Sequence, residues 1–193
     1  MKKITKEELK RVLASHQLWL NTEGKEGERA ELSNTHLRGA KFTGLNLTNV
    51  NFAEARLSGA HFDNANMTGA NLRGALLLAA HLPNANFTNA DLTGANLTGV
   101  HASDVNLTSA NLTDVDFTDA WLPWANLASA DLTGADLTGA HLPGSNFVDA
   151  SLTLSIRDCK EFREAQFSPD AIPWLVLHPQ WPEWKSFVQI AED

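Results

Sequence analysis

A large apolar residue recurs at every fifth position along most of the chain. Leu, Phe or Met stands at 32, 37, 42 and onward to 152, and only Ala102 interrupts the series. A small residue, usually Ala, lies two positions before all but one of them, as in Ala90-Asp91-Leu92-Thr93-Gly94; the exception is Leu45. This five-residue period limits the fold more than any other property of the sequence.

The period excludes both regular elements in their straight form. In an α-helix every fifth residue advances by about 140°, so no apolar stripe forms. In a straight strand an odd period would place successive leucines on opposite faces. Instead, the side chain of the Ala must point inward, that of the next residue outward and that of the Leu inward. It then turns a corner through two residues rich in Thr, Gly, Asn and Asp, which favour turns.

A second, longer period predicts how many corners make one coil. Asn is the outward residue at 46, 66, 86, 106, 126 and 146, an interval of 20 residues. Related triplets begin at His81, Trp121 and His141, which are 40 and 20 residues apart. Twenty residues are four units of five, so we expect a coil with four sides.

These units resemble the pentapeptide-repeat family, whose pattern is Ala, then Asp or Asn, then Leu, then two variable residues. The resemblance covers residues 30 to 167. It implies an all-β solenoid, a right-handed quadrilateral parallel β-helix of about seven coils. With coils about 4.8 Å apart the rod would be roughly 34 Å long. The resemblance implies the fold and leaves the function open.

The amino-terminal residues predict a helix that covers the first coil. Thr5-Lys6-Glu7-Glu8 has the pattern of a capping box. Apolar residues at helical spacing follow until Gly24, so residues 5–22 are predicted to be helical. We therefore divide the chain into a helical cap at 1–29, the β-helix at 30–167 and a carboxyl-terminal segment at 168–193.

The carboxyl-terminal segment is rich in Trp and Pro. Ser168-Pro169-Asp170 predicts one short helix and Pro182 the start of another, with Trp174, Trp181 and Trp184 as apolar anchors. Two interpretations remain open. The segment is a second cap, or it is an interface for a homodimer or another partner, since three Trp are many for a small cap.

The charge is distributed unevenly along the rod. The formal net charge is −8, and from residue 76 to 150 every charged residue is Asp. An acidic surface argues against direct nucleic-acid binding, which needs basic groups. The chain has one cysteine, no charged-then-apolar leader and no apolar run long enough for a membrane span. We expect a cytoplasmic protein without a membrane segment.

The third side of the predicted coil differs from the other three. Its outward residues are Lys41, His61, His81, His101, Trp121, His141 and Glu161, and the corners that follow contain Pro83, Pro123 and Pro143. Repeat duplication at a tolerant position would explain this histidine series, as would a protein-contact face. A divalent metal site is a third alternative, but no carboxylate or thiolate is placed to complete it. We therefore predict no metal.

Exposed apolar residues add to this candidate surface. Trp121 and Trp124 are both predicted to point outward, where either the carboxyl-terminal tail covers them or they anchor a partner. Leu76 and Leu78 form a smaller apolar spot on the second side. The predicted partner-binding residues are His61, His81, His101, Trp121, Pro123, Trp124, His141, Leu76 and Leu78.

The sequence contains no catalytic motif that would mark an enzyme, a cofactor or a small-molecule substrate. We predict a non-catalytic, intracellular protein-interaction scaffold that presents the His/Trp/Pro side of a rigid rod to a partner protein. The family resemblance implies an alternative. Some pentapeptide-repeat proteins bind DNA gyrase by imitating duplex DNA and are linked to quinolone tolerance. The acidic half agrees with that alternative, whereas the basic first coils depart from it.

Overall fold

Each five-residue unit forms one side of a coil in the computed structural model, which describes residues 1–152, 159–171, 175, 185 and 188–191. The outward residue of a unit pairs in parallel with the outward residue 20 positions later, as Glu31 does with Asn51. Each coil therefore has the four predicted sides. We number them 1 to 4 after the outward residues of the first coil, Glu31, His36, Lys41 and Asn46.

Backbone hydrogen bonds join the coils at every side. The amide of Leu32 donates to the carbonyl of Asn51 at 2.7 Å, and the amide of Asn51 donates to the carbonyl of Ala30 at 3.0 Å. This pair of bonds recurs along the rod, so each side contributes a very short parallel rung rather than a long strand.

The corners are tight turns with one left-handed residue. At one corner the amide of Ala60 donates to the carbonyl of Leu57 at 2.9 Å, and Gly59 between them has φ of 64°. Asn64 takes the same conformation at the next corner, with φ of 55°. Gly and Asn are frequent here because they adopt positive φ at the lowest cost.

The inner residues form one continuous hydrophobic core. From Leu32 to Phe147 every inner residue except Ala40 and Leu45 is buried, and the buried residues include Ala102. Aromatic rings stack between successive coils, with ring centroids 4.8 Å apart for Phe42 and Phe62. The core therefore extends along the rod as columns of Leu or Phe beside columns of Ala.

On sides 1, 2 and 4 the outward Asn or Asp also supports its own corner. The side-chain Oδ1 of Asn66 accepts the amide of Thr68 at 3.1 Å and its hydroxyl at 2.7 Å. The side-chain amide of Asn66 donates to Thr48 Oγ1 of the preceding coil at 3.1 Å. These outward residues are thus part of the fold itself.

The amino-terminal helix α1 spans Lys6–Asn21, within one residue of the prediction at each end. Both bonds of the capping box form: the Glu8 amide donates to Thr5 Oγ1 at 3.1 Å, and the Thr5 amide donates to Glu8 Oε2 at 2.7 Å. Before it, strand β1 (Lys2–Lys3) pairs in parallel with strand β2 (Thr35–His36). The chain thereby adds a rung to side 2 below the first coil.

His16 connects α1 to the rod. Its side chain is buried, and its Nδ1 accepts the amide of Ala30 at 3.2 Å. Ala30 has no preceding corner to accept its amide, so the imidazole takes that role. Burial lowers the pKa of His16 below its ordinary value of 6.5, with a further contribution from the nearby Arg29 charge. The neutral form that can accept this bond is therefore favoured.

The carboxyl-terminal end adds a small parallel sheet of three strands in the order β3 (Asn146–Phe147), β4 (Gln166–Phe167) and β5 (Gln189–Ile190). A short 3-10 helix at Pro169–Ala171 agrees with the helix predicted there. The helix predicted from Pro182 lies largely outside the described residues, and its described end is strand rather than helix. The Gln189 amide donates to the Ala165 carbonyl at 2.9 Å, because the last coil offers an unpaired edge. The domain limits remain predictions.

Candidate interaction face

The outward residues of side 3 form one continuous series along the rod. Parallel bridges join Lys41, His61, His81, His101, Trp121, His141 and Glu161 in that order. The predicted alignment of the histidines is confirmed. We call this series the side 3 ladder.

The rings of the side 3 ladder pack against one another. The ring centroids of His61 and His81 are 4.7 Å apart with planes 11° from parallel, and those of His81 and His101 are 5.3 Å apart. Trp121 and His141 form a second contact, with centroids 5.1 Å apart and a tilt of 41°. The ladder thus presents flat rings whose positions are set by the backbone.

Among the described hydrogen bonds, none joins a corner amide to the ring of a side 3 histidine or of Trp121, as Asn66 is joined to Thr68 on side 4. Proline has no amide hydrogen and fits the first corner position. It occupies that position after His81, Trp121 and His141. At these three corners no amide needs a side-chain acceptor, whereas Asp63 and Ser103 keep their amides after His61 and His101.

The two tryptophans are the most exposed aromatic residues on this face. Trp121 is 44% exposed and Trp124 is 57% exposed, while Pro123 between them is buried. Trp124 occupies the left-handed corner position with φ of 60°. A bulky side chain in that conformation costs about 1–2 kcal/mol. Its ring lies over Gly144 of the next coil, where a Cβ would collide with it.

Charged groups lie beside the ends of the ladder. His61 Nδ1 is 3.8 Å from Asp63 Oδ2, and His141 Nδ1 is 3.9 Å from Glu161 Oε2. Both contacts become ion pairs when the imidazole is protonated. Among the described residues, no three potential ligands are arranged to hold a metal ion.

Leu76 and Leu78 lie on side 2 rather than with the histidines. They are 36% and 40% exposed, and Leu76 pairs with Arg56 below it and Asn96 above it. Leu78 lines a shallow hollow with Arg38 and Gly59. The structure therefore divides the predicted partner-binding residues between two adjacent sides.

The acidic half carries carboxylates that are bound by neighbouring hydroxyl and amide groups. Burial alone would raise the pKa values of Asp91 and Asp116, but bonds from Thr93 and Thr118 outweigh it and lower both below the ordinary value of 3.8. For Asp131 the bonds from Thr133 dominate in the same direction. These groups are negatively charged at neutral pH.

The five-residue pattern and the 20-residue pairing match one known family. The model for pentapeptide repeats matches in eight copies within residues 30–69, 65–104, 90–128 and 122–156. The chain belongs to the pentapeptide-repeat family.

Several solved pentapeptide-repeat structures are similar to this one. Rfr23 from the cyanobacterium Cyanothece 51142 is 26% identical over 52% of this chain and 61% of its own, with a TM-score of 0.37. HetL from the cyanobacterium Nostoc sp. strain PCC 7120, involved in heterocyst differentiation regulation, is 27% identical over 72% and 65%, with a TM-score of 0.28. QnrB1, a plasmid-mediated fluoroquinolone resistance protein, is 18% identical over 72% and 82%, with a TM-score of 0.41.

This pentapeptide-repeat chain spans only 61% and 65% of the lengths of Rfr23 and HetL, less than two thirds of either. No curated protein sequence matches it significantly. Within the described part of the chain, neither α1 nor the 3-10 turn has the length and hydrophobicity that a membrane crossing requires.

The carboxyl-terminal interface residues Trp174, Trp181 and Trp184 lie outside the described residues. The tail is predicted either to cover Trp121 and Trp124 or to pair two chains, and most of it also lies outside the described residues. Both expectations stay predictions.

Sequence reasoning did not single out Gly144 as part of the face. It gives the Trp124 ring the space to lie flat on the next corner. The signal was present, because Gly144 stands 20 positions after Trp124 and therefore directly above it in the coil.

Proposed function

We propose that this pentapeptide-repeat protein is a non-catalytic scaffold that binds a partner protein through side 3. The observation that supports this most is Trp124, an exposed indole held in an unfavourable left-handed conformation beside exposed Trp121. Asn occupies the same corner position in earlier coils without that cost, as at Asn84. An unfavourable conformation kept at the surface suggests a binding role.

The ladder has the properties of a preorganised binding surface. The stacked rings of His61, His81 and His101 and the corner prolines lose little conformational freedom when a partner packs against them. Trp residues contribute most to protein interfaces when they are buried at the centre by the partner. A cytoplasmic location, pairing through residues 168–193 and the absence of catalysis belong to the same proposal.

Affinity capture from the native cell tests this proposal. The baits are the wild-type chain, Trp121→Ala/Trp124→Ala and, on side 2, Leu76→Ala/Leu78→Ala. We expect the tryptophan variant to lose its specific partner, with binding weakened roughly thirty-fold or more, which corresponds to about 2 kcal/mol. The leucine variant tests whether the predicted residues Leu76 and Leu78 share the contact face, and we expect it to lose less affinity than the tryptophan variant. If the tryptophan variant returns the same proteins as the wild type, side 3 is not the contact face.

The acidic half supports a second candidate function, binding to DNA gyrase by imitation of duplex DNA. Asp116 pairs with Asp136 on side 2, and Asp131 lies 20 residues after Asn111 on side 1. The lowered pKa values of Asp116 and Asp131 favour the charged forms. A gyrase supercoiling assay separates the two functions. Inhibition that is lost in Asp116→Asn/Asp136→Asn but kept in Trp121→Ala/Trp124→Ala would favour the second candidate.

A further inference from the structure

The first coil leaves a backbone edge unpaired on side 3. On side 2, β1 supplies a rung below His36. On side 3 the series begins at Lys41, which bridges only to His61 above it. Within the described part of the chain, neither the amide nor the carbonyl of Lys41 makes a backbone hydrogen bond. The backbone amide and carbonyl of Lys41 are therefore available to bond to a further parallel strand.

A cleft of about 530 Å³ lies beside this edge, between α1 and the first coil. Its apolar lining includes Leu9 and Leu13 of α1 and Ala40 of the rod. Its volume is within the range of binding clefts in proteins.

The core is incompletely covered at this point. Ala40 and Leu45 are only half-buried, whereas Ala60 and Ala65, which occupy the same columns one coil higher, are fully buried. Helix α1 thus leaves part of the core accessible at this end of the rod. Of the two half-buried residues, Ala40 lines the cleft.

The rim of the cleft is positively charged. Lys6 and Lys10 of α1 face Arg38 and Lys41 of the rod across it, and no Asp or Glu is among its lining residues. Of the ion pairs formed by the described residues, none includes these four side chains. Four unpaired cations around one cleft are unusual in a chain of net charge −8.

We propose that this cleft binds an extended acidic segment of a partner protein, which adds to the rod as a parallel rung below Lys41. The unpaired backbone groups of Lys41 would bond to the added strand. Its inward side chains would lie below Ala40 and Phe42, where the first would cover half-buried Ala40, and they are therefore apolar. Its outward side chain would lie about 4.8 Å from Lys41 and close to Lys6 and Lys10, which selects Glu or Asp.

The chain already performs this type of pairing on the neighbouring side. Residues Lys2–Lys3 form a two-residue rung below Thr35–His36, and the Lys2 amide donates to the Asn34 carbonyl at 2.8 Å. Strand addition to an open edge is a common mode of peptide recognition, in which backbone bonds give affinity and alternate side chains give specificity. The proposal applies the same geometry one side further along the coil.

A synthetic peptide tests the proposal by fluorescence anisotropy. The probe is a fluorescein-labelled peptide with the sequence Ser-Glu-Ala-Glu-Leu-Glu-Ser, and we expect saturable binding to the full chain. A control peptide has Lys in place of each Glu. A second control keeps all charges but has Pro in place of Leu, which removes the amide that would donate to the Lys41 carbonyl. Equal binding of the proline peptide would show charge attraction without strand addition and would overturn the proposal.

Paired variants locate the site. Lys6→Gln/Lys10→Gln removes two exposed cations from the rim and should weaken probe binding about tenfold. Arg11→Gln/Lys25→Gln changes the net charge equally but outside the cleft, and should leave binding unchanged. Equal losses in both variants would contradict the proposed site. Thermal unfolding of both variants shows that the fold is retained.

Amide hydrogen exchange measured by NMR reports on the rung itself. The Lys41 amide should exchange rapidly in the free chain and become protected when the probe binds. Probe binding without protection of Lys41 would refute strand addition. If the free chain dimerises in sedimentation experiments and Lys41 is protected in the dimer, a second copy occupies the edge and the proposal is wrong. Trp121→Ala/Trp124→Ala should bind the probe normally, so this site and side 3 are tested independently.

Discussion

Sides 3 and 4 are built from the same five-residue unit but use their outward residues differently. On side 4, Asn86 accepts the amide and hydroxyl of Thr88 and donates to Thr68 of the coil below. On side 3, the His81 ring of the same coil stacks on the rings below and above it, and Pro83 has no amide hydrogen that would need an acceptor. Where proline replaces the corner bond, as it does after His81, the outward residue of a repeat is available for binding.

We expect the largest difference in folding stability between alanine variants of Asn86 on side 4 and His81 on side 3. Asn86→Ala removes an acceptor of two bonds and a donor of a third, so we expect a loss of about 2–3 kcal/mol in the free energy of unfolding. His81→Ala removes ring contacts at an exposed face and should cost about 0.5 kcal/mol. Urea unfolding measures both. Similar losses for the two variants would mean that side 3 is as structural as side 4.

An exchange of corner residues tests the role of proline. Thr88→Pro removes the amide and hydroxyl that bond to Asn86 and leaves its oxygen without these donors, so we expect a loss of about 1–2 kcal/mol. Pro83→Thr should cost less than 1 kcal/mol, mainly because the unfolded chain becomes more flexible. A larger loss from Pro83→Thr than from Thr88→Pro would contradict this role of proline.

The sequence predicts the contacts that follow the repeat and does not predict those that lie outside it. The five-residue and 20-residue intervals determine which residues stack, because every coil contacts only its neighbours. The alignment of His61 with His81 was therefore predictable. The limits of α1 were predictable from the capping box at Thr5 and from Gly24. The pairing of Lys2–Lys3 with the first coil was not, since a two-residue rung has no periodicity of its own. The bond from the Ala30 amide to His16 depends on how α1 docks, which no local pattern encodes.

A smaller effect should appear at Trp124. Trp124→Asn replaces a strained residue with one that the same corner position carries at Asn64 and Asn84. We expect the free energy of unfolding to rise by about 0.5–1 kcal/mol, because relief of the left-handed strain exceeds the lost contact with Gly144. Trp121→Asn, at an outward position without positive φ, should give no such gain. Destabilisation by Trp124→Asn would show that the indole supports the fold, and would weaken the case for a binding role.

We expect the smallest effect in the pH dependence of folding stability. It arises from the hydrogen bonds between the outward carboxylate of Asp131 and its corner. Hydrogen bonds from the Thr133 hydroxyl and amide lower the pKa of Asp131 below its ordinary value of 3.8. The folded chain therefore takes up this proton less readily than the unfolded chain. The resulting stability is complete above pH 3.8 and is lost as the pH falls through the lower pKa of the folded state.

Urea unfolding at pH 7 and at pH 3 measures this contribution. Asp131→Asn should change stability little at pH 7, since Asn111 makes the same bond to Thr113 one coil below. It should lose less stability than the wild type between the two pH values. Thr133→Val keeps the amide bond and removes the hydroxyl, so its pH dependence should be intermediate. If Asp131→Asn retains the full pH dependence of the wild type, the corner bond does not stabilise the charged form, and the contrast between bonded and free outward residues does not extend to their ionisation.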